Sequence, residues 1–465
     1  MSAPKLKREI FKTSRLVEFC SEKELVNQTG HAVDDWPLVA LKELTDNGID
    51  SCEEADIAPI IHVMVRDGAI AVIDNGPGIG PKVIKDIVDF SSRTSSREAY
   101  VSPTRGAQGN ALKTIIAMPF VLDGGKIGET VLISKGISHH IQFAVDHVRQ
   151  EPKITIDRKD SNVKNGTAVI VQWSSKLANA KSRFLQIADG FGWLNPHLTL
   201  EIDWEGEKTR IEATNPDWQK WRPSDPTSPW WYTKERLARL MGAYVAWDQD
   251  KGREPRTVRE FISEFRGLAG TAKQRAVLDS VRASRVALPD YFANGINLPR
   301  IGKLLAEMQA NSRPVKPRDL GLIGEAHLRA CFIASGADEK TFRYSKQFVV
   351  TDDLPQVIEV AFGYCPDGNR RKIVTGVNWS PGINNPFRVL GRYGQSLHTY
   401  LSEQRAGDPD EPITLVIHMA CPRIDHTDRG KSALVVSGAW SAEDAEQAAM
   451  HVVGDDEEED DGDEE

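Results

Sequence analysis

The sequence predicts an α+β protein, and three observations carry that expectation. An amphipathic helical segment over 36–58 precedes a long run of short apolar stretches of the kind that form antiparallel strands. Two of those stretches flank Asp67-Gly68, a hairpin signal. The pattern then turns mostly helical over 232–311 and alternates again from about 320 to 450.

Each element follows from local pattern. Leu38, Leu41, Leu44, Ile49 and Ala55 recur at roughly helical spacing, with Asp35 as the expected N-cap. The runs 60–66 and 69–73 read as strands, 74–80 as a glycine-rich turn and 81–90 as a short helix. Residues 91–110 are polar and rich in Ser, Thr and Gly, which predicts a long loop. Strands are expected at 130–134, 139–145, 153–157, 167–173 and 197–203. A stretch rich in Pro, Trp and Asp, 213–231, marks a boundary. Residues 257–284 read as two amphipathic helices around a Gly-Leu-Ala-Gly-Thr turn, and SRPVKPRD at 312–319 marks a second boundary. Beyond it the pattern predicts a helix near 324–335, strands near 346–350, 356–363, 372–378 and 413–420, and helices near 389–405 and 441–451. The expected domains are therefore 1–215, 216–312 and 313–451, with a tail over 452–465.

Composition narrows the class. The 465 residues are 40% hydrophobic and 27% charged, as expected for a soluble globular chain long enough for several cores. No apolar run reaches the roughly 18–20 residues of a membrane helix, so no membrane partner is expected. The opening MSAPKLKREIFK lacks the apolar stretch of a secretory signal. Five scattered cysteines include no C-x-x-C pair, which argues against a zinc or disulfide framework and fits a cytoplasmic location. The net charge of −9 is concentrated: residues 455–465 carry ten acidic groups, and the rest of the chain is near +1. Such a block repels itself and is expected to be disordered. It serves either as a solubilising tail or as a polyanion that competes with DNA for a basic groove.

Three patterns carry chemistry. Glu43 and Asn47 are four residues apart and share a helix face, where a carboxylate can orient water and an amide oxygen can ligate magnesium. Alone, the pair is equally what a solvated acidic helix face looks like. Asp74-Asn-Gly76-Pro-Gly78-Ile79 ends a strand in a carboxylate able to accept a hydrogen bond from an exocyclic amine such as adenine's. Its glycines allow close backbone approach; alone, it is also a plain Gly-Pro turn. Arg105-Gly106-Ala-Gln108-Gly109-Asn110-Ala111-Leu112-Lys113 runs from a loop into a helix, a placement that offers free N–H groups to phosphates without the spacing of a P-loop.

Together and in this order, the three patterns resemble the ATP-binding module shared by gyrase B, histidine kinases, MutL and heat-shock chaperones. Asn165-Gly166-Thr167 resembles that family's fourth element, with Thr167 reinforcing adenine recognition. Over most of the chain the resemblance is to the B subunit of DNA topoisomerase VI. Asp50-Ser-Cys-Glu-Glu-Ala55 is similar to that family's D-A-C-E-E-A, and Arg105-Gly-Ala-Gln-Gly109 to its R-G-Q-Q-G. Pro317-Arg-Asp-Leu-Gly-Leu-Ile-Gly-Glu325 resembles P-T-D-x-L-x-P-I-G-E, and Ile358-Glu-Val-Ala-Phe-Gly-Tyr364 resembles V-E-x-G-I-A-Y. Thr427-Asp-Arg-Gly-Lys431-Ser-Ala is similar to T-S-x-G-K-x-A, whose lysine reaches the ATP γ-phosphate. Ala111 stands where the family loop has a third glycine.

The resemblance implies an N-terminal α/β-sandwich ATPase domain, a helix–two-turns–helix-like module and a C-terminal α+β transducer domain. It implies ATP and Mg2+ as cofactors, Asn47 as metal ligand, and Glu43 and Lys431 as catalytic residues. It also implies a nucleotide site drawing on Asn47, Asp74, Gly76, Gly78, Ile79, Arg105, Gly106, Gln108, Gly109, Asn110, Ala111, Leu112, Lys113 and Thr167. The implied partners are DNA, a second copy that docks through an N-terminal strap over 1–30 when ATP binds, and a DNA-cleaving A-type subunit. The implied location is nucleoid-associated, or nuclear in a eukaryote. The short stretch after Lys431, where the family continues into a long helix, keeps open a different reading: a stand-alone ATP-dependent DNA clamp or switch in repair, silencing or defence against mobile DNA.

Overall fold

The computed structural model describes residues 19–90, 99–105, 111–146, 151–174, 177–292, 295–366, 371–387 and 412–424. Lys431, the loop residues Gly106–Asn110, the expected helices at 389–405 and 441–451, most of the strap and the acidic tail lie outside the described residues.

The first half is a mixed sheet of eight strands under a layer of helices. The strands are β1 Ile60–Arg66, β2 Ala69–Asp74, β3 Gly128–Ser134, β4 Ile137–Asp146, β5 Glu151–Asp160, β6 Thr167–Gln172, β7 Thr199–Trp204 and β8 Glu207–Ile211. Their spatial order is β5-β4-β3-β6-β2-β1-β7-β8, antiparallel except for the β1–β7 pair. Asp67 and Gly68 both take positive φ (49° and 72°), the two-residue turn whose twist suits a hairpin. Alternation decides the layers: Ile61, Val63, Val65, Ile70 and Val72 are buried while their neighbours are more open. Against that buried face pack α2 Trp36–Glu54, α4 Ala111–Leu122 and α5 Lys181–Leu194. Two short helices complete this half, α1 Glu22–Thr29 and α3 Pro81–Ile87.

α2 starts where the sequence places it, but the cap differs. Asp35 occupies the N-cap position in a helical conformation (φ −91°, ψ −6°) and makes no side-chain cap bond. A capping side chain needs an extended backbone to fold back onto the first turn. The Asp35 carboxylate instead pairs with Arg183 on α5.

The second half joins helices to a second sheet. The helices are α6 Lys234–Asp250, α7 Val258–Ser263, α8 Thr271–Ser280, α9 Leu298–Ala310 and α10 Glu325–Ala334. The strands are β9 Arg343–Thr351, β10 Leu354–Tyr364, β11 Lys372–Val377, β12 Ser380–Pro381 and β13 Ile413–Ala420, in the order β12-β11-β13-β10-β9. A single apolar core runs from Trp231 and α6–α9 through Val315, Leu320 and Ile323 to Val357, Ala361 and Val416. It therefore crosses the 312–319 stretch that the sequence marks as a boundary. Every residue of β13 is buried, as befits a central strand covered on both faces.

Candidate nucleotide site

The β2–β6 pair sets one wall of the site. Its register places Asp74 opposite Thr167, and the next pair out, β3–β6, places Ser134 opposite Thr167. The Asp74 carboxylate accepts the Gly76 amide at 2.9 Å and the Thr167 amide at 3.2 Å, both on Oδ1. The Ser134 hydroxyl accepts the Ile79 amide at 2.8 Å and donates to the Gly166 carbonyl at 2.9 Å. Asp74, Gly76, Gly78, Ile79 and Thr167, proposed from sequence, thus converge at one end of the sheet, with Ser134 holding them together. Ser134 closes a strand legible in the sequence, but nothing in its neighbours marks it as functional.

Two glycines are required by geometry. A Cβ on Gly166 would lie 2.0 Å from the Asp74 carbonyl oxygen, and one on Gly78 would lie 2.7 Å from the Ser134 hydroxyl. Both glycines also take positive φ (77° and 76°), which side chains resist. Burial pushes the Asp74 carboxyl up to about 6, and the amides of Gly76 and Thr167 only partly offset it. That is a carboxylate still short of hydrogen-bond donors.

The second wall is α2. Ser51 and Cys52 abut the Asp74–Gly76 turn, and Gly48 lies against the Asp74 side chain. Glu43, Asn47 and Ser51 follow one another at four-residue intervals, so they form one stripe. At 1.5 Å per residue the stripe runs about 12 Å from the Asp74 end back to Glu43. Asn47 is exposed and Glu43 partly so. The amide oxygen of Asn47 suits Mg2+, which takes one or two protein oxygens and fills the rest of its shell with water and phosphate. Among the described residues no cluster of three or more His, Cys, Asp or Glu competes for a metal.

Two expected nucleotide contacts are committed elsewhere. Arg105 is a buried anchor: its side chain has 0% exposure and donates to Asp50, Glu53 and Asn195. A guanidinium has a rigid fork of donors that matches carboxylates, and here those carboxylates lie on the inner face of α2. Lys113 is likewise buried, and its ammonium donates to the Asp89 carbonyl at 2.6 Å, tying α4 to the end of the α3 segment. Ala111 and Leu112 form the start of α4 and are half-buried.

The Arg105 cluster is not legible in the sequence. Lys220 reaches Glu53 at 2.7 Å and His197 reaches it at 3.0 Å. Burial alone would raise the Glu53 carboxyl, but Arg105 and Lys220, with hydrogen bonds from His197 and Arg105, hold it well below the usual range. For Asp50 burial wins over Arg105 and Lys220, and its carboxyl is held above the usual range. Asn195 also donates to the Trp379 carbonyl, so the cluster reaches the second sheet. A second buried knot joins two stretches singled out in the sequence. Glu359 accepts the amides of Ile323 and Gly324 at 2.9 and 2.8 Å, and His418 stands 3.3 Å from it.

Comparison with known proteins points to the same relatives as the sequence motifs. No family model matches the chain. The B subunit of type 2 DNA topoisomerase 6 from Natronomonas pharaonis is 29% identical over 178 residues, 36% of this chain and 21% of that protein. Its counterpart in Archaeoglobus fulgidus is 22% identical over 420 residues, 85% of this chain and 66% of that protein. The Methanosarcina acetivorans counterpart is 29% identical over 438 residues, covering 85% and 64%. The chain therefore resembles the latter two proteins over most of its own length, and it spans less than two thirds of each of the three. Among solved structures, the B-subunit of DNA gyrase from Myxococcus xanthus aligns over 94% of this chain and 92% of its own, with 11% identity and a TM-score of 0.35.

Proposed function

We propose that the chain is an ATP-hydrolysing, dimerising subunit that acts on DNA in the manner of the B component of topoisomerase VI. The observation that supports this best is the convergence of Asp74, Gly76, Gly78, Ile79 and Thr167 at one end of the Glu43–Asn47–Ser51 stripe.

In this reading adenine lies at the Asp74 end. The Asp74 carboxylate accepts its exocyclic amine, while Gly76, Gly78 and Thr167 bring backbone and hydroxyl groups close. The triphosphate runs along the stripe from the Asp74 end toward Glu43 and the 105–114 loop. Asn47 would hold Mg2+, which when bound would supply charge neutralisation for the phosphates. Glu43 orients and activates the attacking water. Most of the rate comes from positioning and charge stabilisation, as in phosphoryl transfer generally. Arg105 anchors one end of the phosphate loop to α2. Lys431, from the C-terminal domain, reaches the γ-phosphate. The three-domain division at 215 and 312 is part of the same reading.

ATP binding then closes two copies on DNA, hydrolysis reopens them, and an A-type subunit supplies strand cleavage. Light scattering of the full chain tests the gate. The mass should rise toward that of a dimer with a non-hydrolysable ATP analogue, and one unchanged mass in both conditions rejects it. Co-purification with or without an A-type nuclease subunit separates a topoisomerase from a stand-alone clamp.

A further inference from the structure

Lys42 precedes Glu43 in sequence, so the two point in different directions from α2. Lys42 faces the interior and is buried. Its ammonium nevertheless lies 3.7 Å from the Glu43 carboxylate and 2.9 Å from Asp46, one helical turn on. Burial alone would lower the lysine's affinity for its proton, but Asp46 and Glu43 hold it above the usual value. Asp46 in turn accepts a hydrogen bond from Ser380 at 2.7 Å on the same oxygen that Lys42 meets. Ser380 belongs to β12, which pairs with β11 of the second sheet.

We propose that Lys42 is a positioning residue for the hydrolytic carboxylate of Glu43, and that Asp46 and Ser380 make its hold depend on how the second sheet is seated. This rests on the reading of Glu43 as the group that activates water.

Competition for donors couples Lys42, Asp46 and Glu43. Both Lys42 and Ser380 donate to Oδ2 of the buried Asp46 carboxylate, while its Oδ1 faces the Arg105 guanidinium at 3.9 Å. An ammonium carries three donors, so Lys42 can serve Asp46 and still steady one oxygen of Glu43. That restraint fixes the direction in which Glu43 presents its carboxylate to water. When the sheet shifts and withdraws Ser380, Asp46 takes a larger share of Lys42. The Lys42 restraint on Glu43 then weakens, and its carboxylate is held less closely in the productive direction. A seated sheet thus favours hydrolysis.

The test uses the full chain and reads ATP turnover together with binding of a non-hydrolysable analogue. The double variant Lys42→Met with Asp46→Asn removes the ion pair without stranding a buried charge. It should lose about ten- to a hundredfold in kcat while KM stays within about twofold, as expected for a displaced catalytic group. Lys42→Arg, which keeps the charge, should recover much of that loss. Ser380→Ala should lower kcat in the wild-type background and have no further effect in the double variant. Full kcat in a folded double variant, or a Ser380→Ala effect that adds to it, overturns the proposal. Should the double variant fail to fold, Ser380→Ala decides alone, and an unchanged kcat overturns it. Glu43→Gln separates the two levels. If it still turns over ATP, the reading of Glu43 falls; if it is inactive while the Lys42 variant is fully active, only this inference falls.

Discussion

The Ser134 hydroxyl stands 3.3 Å from the Thr167 hydroxyl across the β3–β6 pair. Through it the glycine turn at 76–79 is tied to β6, because the same oxygen meets the Ile79 amide and the Gly166 carbonyl. Ser134→Ala should therefore loosen adenine recognition. KM for ATP should rise about five- to tenfold, the cost of roughly one net hydrogen bond, with kcat little changed. Steady-state kinetics on ATP and GTP checks this, and discrimination between the two bases should narrow.

Gly166→Ala should damage the site more severely. Its Cβ would occupy the space of the Asp74 carbonyl, so β2 and β6 must part there. Nucleotide binding should be lost by calorimetry, with a lower melting temperature.

Binding should release a proton near pH 6. The Asp74 carboxyl is raised to about 6, chiefly by burial. An amine donated by adenine favours the ionised form, so binding lowers that value. Affinity should weaken as pH falls below about 6, and Asp74→Asn, which removes the titrating carboxyl, should abolish this dependence along with most of the binding. Calorimetry in buffers of different ionisation enthalpy measures the proton directly.

Arg105→Met should destabilise the fold by about 3–5 kcal/mol, the usual cost of removing one partner from a buried ion cluster. Glu53 is held below its unfolded value, so its pairing stabilises the protein above that value. The stabilisation is lost as pH falls through the folded one. The deficit of the variant should thus be greatest near neutrality and shrink in acid, as urea unfolding at several pH values would show.

Much of this architecture is legible in the sequence where local chemistry and tertiary demand coincide. The Asp67-Gly68 hairpin, α2 and all described strands but β8 and the two-residue β12 are examples. α5 is not legible, because Gly190 and Gly192 weaken its helical signal. They are there because Pro381 and Ile211 press on it: a Cβ at either glycine would come within 3.0 Å of them. β8 is not legible because it is a short, mostly exposed edge strand without alternation. The Glu43–Asn47 face and the Asp74–Gly78 turn are each contiguous in sequence and so are visible. The clusters around Glu53 and Glu359 are assembled from residues far apart in the chain, and no local pattern announces them. Arg105 and Lys113 show the converse: a basic residue beside a glycine loop suggests phosphate, but burial has assigned each an internal partner.

If Asp74 reads the base while Glu43 serves the chemistry, paired binding and turnover in two variants separate the roles. Glu43→Ala should bind a non-hydrolysable ATP analogue with near wild-type affinity and show no detectable hydrolysis, whereas Asp74→Ala should lose binding. Equal loss of binding in both variants would contradict the assignment.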